Sequence, residues 1–346
     1  MPHDRLKGAG PKPKARSSRR LVWGLVLGAG GLAVAALVGA LVLRPSIDGY
    51  PTLPIRPDAA APARLTVRFL GASTVALDDG QDVVLIDGYL SRPGLVTLLT
   101  RPLKPDQAAI ARHMKHAGLN RISAIFVAHT HFDHALDSAT LAKSRGAALY
   151  GTKTLAAIAA AEGAPSPVHL LQAGQPITIG RFQVTPFPTP HSPGDVAAGA
   201  DAAAFKPPAR ARAYPEGGNH SFLVQNGSCR ILIVPSAGLP GQTFRNVRAD
   251  VLLLGVGQLS RQGPEAVDAY WRDTVLASGA RVVVPIHWDD FTRSLDQPLA
   301  PLPYALDRLD QTLDRLTELA GDDIQVRLPT AFTAIDWSGL PAGGCA

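Results

Sequence analysis

The sequence predicts a globular domain of mixed α and β elements behind one long apolar segment. Two observations carry the domain: short apolar or alternating runs bounded by Gly, Pro and Asp recur between residues 64 and 337, and stretches with three-and-four spacing lie among them. A third carries the segment, because residues 21–43 form 23 positions without a charge. A chain of 346 residues has room for one large domain or two small ones, and nothing between 64 and 337 marks an internal boundary.

Residues 1–20 read as a basic cytoplasmic tail, with Arg5, Lys7, Lys12, Lys14, Arg16, Arg19 and Arg20 opposed by Asp4 alone. As a helix, 21–43 would be about 34 Å long, enough to cross a bilayer, and its Gly and Ala content is tolerated in membrane helices. Cations ahead of such a span stay in the cytoplasm. The expectation is therefore a single-pass cell-membrane anchor with everything after Arg44 on the extracytoplasmic side, periplasmic or extracellular. A cleaved signal peptide is the alternative. Against it stand the poor cleavage site Val38-Gly39-Ala40 and a run longer than the usual h-region of about 7–15 residues. A buried core helix is a third reading, which the flanking cations oppose.

The formal charge of +6 does not indicate a nucleic-acid partner. The first 20 residues hold seven of the 34 cations and one of the 28 acids, leaving 27 against 27. A neutral domain has no bulk electrostatic footprint for nucleic acid. Cys229 and Cys345 are the two cysteines, and both are remote in sequence from the histidines discussed below. Thiolate ligation is not expected. A disulfide is chemically allowed outside the cytoplasm, but Cys345 sits in a Gly-rich end that reads as frayed, and pairing stays open.

Residues 44–63 hold prolines 45, 51, 54, 57 and 62 and read as a semi-rigid spacer holding the domain off the membrane. The folded part opens with strands at 65–71, 74–77 and 82–87, the last two joined by the hairpin signal Asp78-Asp79-Gly80. Residues 106–117 form a helix, with Ile110 and Met114 on one face and His113 and His116 read as surface residues. Helices at 136–144 and 155–161 flank a strand at 147–150. Residues 176–180 and 182–187 form an antiparallel pair. The stretch 194–215, rich in Ala, Pro and Arg, is too long for an ordinary connection and is a candidate substrate lid. A hairpin at 217–234 turns at Asn226-Gly227. A buried strand at 250–255, a helix at 264–278 and a strand at 281–286 follow. Leu306, Leu309, Leu313, Leu316 and Leu319 mark an amphipathic helix. Strands at 324–328 and 331–337 close the domain, and 338–346 is a flexible end.

Chemistry concentrates at the end of the apolar run 122–127. There the chain reads Ala128-His129-Thr130-His131-Phe132-Asp133-His134. Extended backbone points His129 and His131 the same way, and Asp133 and His134 follow as the chain turns toward a second position. Imidazole and carboxylate suit zinc and similar divalent ions. Two further histidines sit beside strand ends: His191 in Pro188-Thr189-Pro190-His191-Ser192, a stiff loop between prolines, and His287 directly after 281–286. His220 is a pocket-lining candidate.

The His-x-His-x-Asp-His cluster resembles the signature of the metallo-β-lactamase superfamily, and the resemblance extends over roughly 64–337. It implies an α+β fold, a four-layered αββα sandwich. His129, His131 and His191 would hold one metal, and Asp133, His134 and His287 a second. Asp87, closing the opening strand pair, resembles a supporting aspartate of the superfamily, with a plain turn residue as its alternative. The residues around His287 look most like the branch containing lactonase-like and phospholipase-D-like hydrolases. The chain departs from the pattern at Val234-Pro235-Ser236-Ala237-Gly238, where relatives carry a Gly-Asp pair whose carboxylate bridges the metals. Ser236 is a poor substitute, and Asp195 is a conceivable replacement.

The resemblance implies one or two Zn2+ ions, with Mn2+ or Fe2+ as alternatives, generating hydroxide that attacks an ester, lactone or phosphodiester. The substrate would be a small molecule or lipid. Asp133 would orient the nucleophile and move a proton, and Ser236 would donate a hydrogen bond. Two other readings stay open: a metal-binding protein of the same fold with little activity, suggested by Ser236, and a di-iron redox enzyme, for which no flavin module is visible.

Overall fold

Valine, isoleucine and leucine at every position of 83–86, 231–234 and 282–284 leave no polar face, so these segments are strands buried on both sides. A computed structural model of the chain describes residues 23, 25–27, 39–57, 65–164, 167–194 and 205–346. Residues 44–346 form one unit, and 1–43 segregate as another. The basic tail and most of the 21–43 span lie outside the described residues. Among those described, no helix is long and apolar enough to cross a membrane.

The first sheet runs β1 (Thr66–Phe69), β2 (Val75–Asp78) and β3 (Val83–Ile86), antiparallel to one another. The β2–β3 turn is the predicted one: Gly80 takes φ +88°, and its N–H donates to the Asp78 carboxylate at 2.9 Å. Helices α1 (Leu95–Thr100) and α2 (Gln107–His116) come next, and the Asp106 carboxylate caps α2 by accepting from Ala108 and Ala109. Strand β4 (Ala124–Phe126) then pairs parallel to β3. Helices α3 (Phe132–Ala135) and α4 (Ser138–Arg145), strand β5 (Ala148–Gly151), helix α5 (Lys153–Ala161) and strand β6 (His169–Leu170) complete this half, in sheet order β1 to β6.

The second sheet contains β7 (Ile177–Ile179), β8 (Phe182–Pro188), β9 (His220–Asn226), β10 (Cys229–Val234), β11 (Val251–Gly255), helix α6 (Pro264–Trp271), β12 (Val282–Ile286), helix α7 (Leu309–Ala320) and β13 (Gln325–Val326). Strands β7 to β10 are antiparallel and β10 to β13 parallel. Phe69, Leu77 and Ile86 of one sheet and Phe222, Ile231 and Ile233 of the other share one core. Alternate residues of the first sheet, Leu85, Ile125 and Leu149, pack instead with Ile110, Met114 and Leu155 of α2 and α5. Tyr270, Trp271, Leu313 and Leu316 bring α6 and α7 onto the second sheet. The result is two sheets with helices outside, the α+β class expected.

Several expectations fail in detail. Residues 44–57 are not a free spacer: Leu53 donates to Leu328 O, Leu328 to Pro51 O and Arg56 to Ala334 O, and Leu53 is buried. The C-terminus is tied down, because Cys345 forms a disulfide with Cys229 and Ala342 is buried. Residues 331–337 make single bonds alongside β1 rather than a strand. Leu306 precedes α7 and is exposed. His113 is buried, its ring 6.2 Å from Phe332, whereas His116 is exposed as expected.

Candidate metal centre

Strands β4, β8, β10 and β12 deliver the chemistry, because His129, His191, Ser236 and His287 each follow the end of one of them. The structure brings His129, His131 and His191 into one group and Asp133, His134 and His287 into another, with the ligand atoms of each group within 4.8 Å of one another. In the first group the imidazoles stand nearly perpendicular, with centroids 4.6, 4.6 and 4.7 Å apart. In the second, Asp133 Oδ2 lies 3.2 Å from His287 Nε2 and 3.8 Å from His134 Nε2, and the two nitrogens are 3.3 Å apart. The groups adjoin, with the His129 and His134 rings 3.8 Å apart.

These residues fit a divalent ion on their own geometry. His129 is wholly buried, yet neither ring nitrogen has a hydrogen-bond partner, which is costly unless something else meets them. A tetrahedral ion with bonds of about 2.0–2.1 Å sets its ligands about 3.3 Å apart, close to the second group's shorter edges. Burial, then the neighbouring imidazoles, hold the His129 pKa well below the ordinary histidine value, so it is neutral and able to ligate. Burial would raise Asp133, but His134 and His287 outweigh it and hold the carboxyl well below its usual range.

Asp87 supports the second group. It is fully buried, Oδ2 lies 2.7 Å from His134 Nδ1, and Oδ1 accepts from the Ala128 N–H at 2.7 Å. A carboxylate only accepts, so His134 carries its proton on Nδ1 and turns the Nε2 lone pair to the site. Burial lowers the His134 pKa, but Asp87 and Asp133 together raise it above its ordinary value, so an ion would take the Nε2 lone pair in exchange for a proton. In the same way His191 donates from Nδ1 to Ser192 O at 2.8 Å. Ser236 Oγ accepts from the Ser192 N–H at 3.0 Å, which fixes that peptide and leaves the Ser236 O–H for another partner.

The sequence reading missed two supports. Ser73, buried, donates to Asp87 Oδ2 at 2.5 Å, and a lone serine in a turn gives no signal of such a role. Arg92 forms a wholly buried pair with Asp289 at 2.7 Å, and Asp289 Oδ1 accepts from the Ala72 N–H, which holds the loop after His287. His220 joins neither group, and Asp195 lies outside the described residues.

The two groups open into a cavity of about 370 Å³ with Phe132, Phe291, Pro193 and Pro235 on its walls, Ser236 beside them and Arg212 among its lining residues. Of the candidate lid, 195–204 lies outside the described residues, and Ala211, Arg212 and Tyr214 line the cavity.

Residues 83–288 match the family model of the beta-lactamase superfamily domain. A UPF0173 metal-dependent hydrolase of Heliobacterium modesticaldum is 26% identical over 235 residues, covering 66% of this chain and 84% of that protein. Among solved structures, Igni18, a metallo hydrolase from Ignicoccus hospitalis, aligns with TM-score 0.49 at 14% identity over 78% of this chain and 97% of that one. The metallo-β-lactamase fold protein YhfI from Bacillus subtilis aligns with TM-score 0.47 at 15% identity over 77% and 96%.

Proposed function

The chain belongs to the beta-lactamase superfamily domain family, and we propose that it is a metal-dependent hydrolase acting at the two adjoining ligand groups. The observation that carries this reading is the meeting of six side chains, from His129 to His287, five of which line one cavity. His129, His131 and His191 would hold one divalent ion, and Asp133, His134 and His287 the other, with zinc the first choice for such donors. Bound there, a divalent ion would supply Lewis acidity, acidifying water and polarising the oxygen under attack.

The chain's own groups supply the rest. Asp133, ionised and lining the cavity, would accept a hydrogen bond from the attacking water and orient it. Asp87 and Ser73 keep His134 in one tautomer, and Ser236 fixes the loop that orients His191. The apolar walls exclude water around the substrate's body. Arg212, the cation among the lining residues, matches a substrate with negative charge, which favours a phosphodiester, or a lipid-derived one, over a neutral ester or lactone.

We further propose that residues 21–43 tether the domain to the cell membrane on its extracytoplasmic side, a reading supported by the uncharged run and the cations before it. The hydrolase reading is tested by metal analysis and turnover of a bis-aryl phosphodiester and an aryl ester. The wild type should hold up to two ions and favour the phosphodiester, while His129→Ala should lose metal and turnover together. Stoichiometric metal with no turnover of either substrate would leave a metal-binding protein in its place.

A further inference from the structure

Helix α1 presents its apolar side chains to the outside. Leu98 points inward, while Leu95, Val96 and Leu99 are 56, 74 and 67% exposed. Three large apolar residues on two turns of one surface helix call for a partner. Exposed cations follow on the same and the adjoining segment: Arg101 at the end of α1, then Lys104, with Lys206, Arg210 and Arg212. That segment is held against the α1 side, since Pro102 bridges Arg210 and Leu103 donates to Ala209 O. Among the described residues none of the five cations takes part in an ion pair or a side-chain hydrogen bond. An apolar helix with unpaired cations on its end and on the adjoining segment is complementary to an anionic lipid surface of acyl chains and phosphates.

The chain enters the domain beside residues of the metal cavity. Arg44, joined by one peptide bond to the last residue of 21–43, pairs with Asp290 at 2.8 Å and also donates to Pro301 O. Asp290 is buried, and its carbonyl accepts from Arg92, three residues before Leu95. The next residue, Phe291, lines the metal cavity. Residues 44–57 are themselves packed on the domain.

We propose that α1 and its cations seat the domain on an anionic bilayer surface, with the mouth of the metal cavity turned to the lipid so that substrate enters from the interface. The proposal rests on the tether reading of 21–43 and adds to it the orientation and the surface that makes contact. It accounts for exposed leucines beside the cavity and for Arg212 at once, the cation meeting a phosphate as the substrate enters.

The test uses the full chain in nanodiscs of phosphatidylcholine and phosphatidylglycerol. Both native cysteines are in the disulfide, so an introduced cysteine takes a fluorophore alone. Val96→Cys reports on α1. Asp322→Cys, in the turn that feeds β13, reports on the opposite end of the strands from His287. Spin-labelled lipid should remove most of the fluorescence at 96 and leave 322 unchanged. Leu95→Glu with Leu99→Glu should abolish the quenching while metal content stays at the wild-type level, which shows that the domain is intact. Equal behaviour at 96 and 322 overturns the proposal. So does a probe at 96 that neither spin-labelled lipid nor aqueous iodide quenches, because protein then covers α1. Alkaline extraction reads the tether separately. A chain released by alkali whose position 96 is still quenched on anionic vesicles keeps the docking surface and loses the tether. A chain that stays in the membrane with 96 unquenched keeps the tether and loses the docking surface.

Discussion

Asp87 faces no cavity, yet the second ligand group depends on it. Its carboxylate ties the His134 ring, the Ser73 hydroxyl and the Ala128 N–H together at the point where β4 ends. Asp87→Asn keeps the shape and makes the group a poorer acceptor from Nδ1–H, so the imidazole is no longer held in one tautomer. Metal affinity should fall about 10–100-fold, read by competition with a chelator, with little change in the unfolding midpoint. Glu162, at the end of α5, is a different case. Burial pushes its pKa up to about 7, against only a weak 3.4 Å hydrogen bond from Thr140 that lowers it. Below the ordinary glutamate value both states are protonated. As pH rises toward 7 the unfolded chain ionises first, so this residue's contribution to stability declines across that window and levels off above it. The stability difference between wild type and Glu162→Gln, from urea unfolding at several pH values, should therefore shift by at most about 3 kcal/mol between pH 4.5 and 7. A flat difference would mean Glu162 is solvated.

Strain at the level of elements gathers where the ligands are. Ala72, Asp87, Arg92, Gln258 and His287 all take positive φ, and among the described residues Phe332 alone of the non-glycines joins them. His287 holds this conformation because its N–H donates to Ala72 O at 2.7 Å and because Gly257 leaves it room. A Cβ at 257 would stand 2.7 Å from His287 O and 3.1 Å from its Nδ1. Gly257→Ala should therefore displace the end of β12 and cost the second ion, seen as a metal stoichiometry nearer one than two with the fold retained. This dependence was not legible in the sequence, although His287 itself was, because a histidine directly after a buried strand has a fixed place at a sheet end. The hairpins were legible through Asp79-Gly80 and Gly227, although the second turn is Gly227-Ser228 and Asn226 stays in β9 opposite Cys229. Helix α1 was not, because its apolar face points outward and no inside-outside period exists to read. Residues 331–337 alternate like a strand but meet β1 through single bonds, so the pattern was present without the ladder.

At the scale of the whole molecule, the two-sheet architecture followed from one cluster of six residues through the family it resembles, whereas the path of the chain ends did not. Prolines at 45–57 suggested a spacer and glycines at 343–344 a frayed tail, since composition reports local stiffness and not what a segment lies against. In the structure the tail turns back on β10: Ser228 donates to Gly344 O at 3.3 Å, and Cys345 bonds Cys229 across 116 residues. Closing so long a loop restricts the unfolded chain far more than the folded one, so the bond should contribute about 2–5 kcal/mol. Such bonds persist in oxidising compartments. Reductant should lower the unfolding midpoint of the wild type. Cys229→Ser with Cys345→Ser should start from that lower value and show no further response. If the double variant unfolds where the oxidised wild type does, the tail is held by its packing at Ala342 and Ser228 alone, and the crosslink adds nothing to the fold.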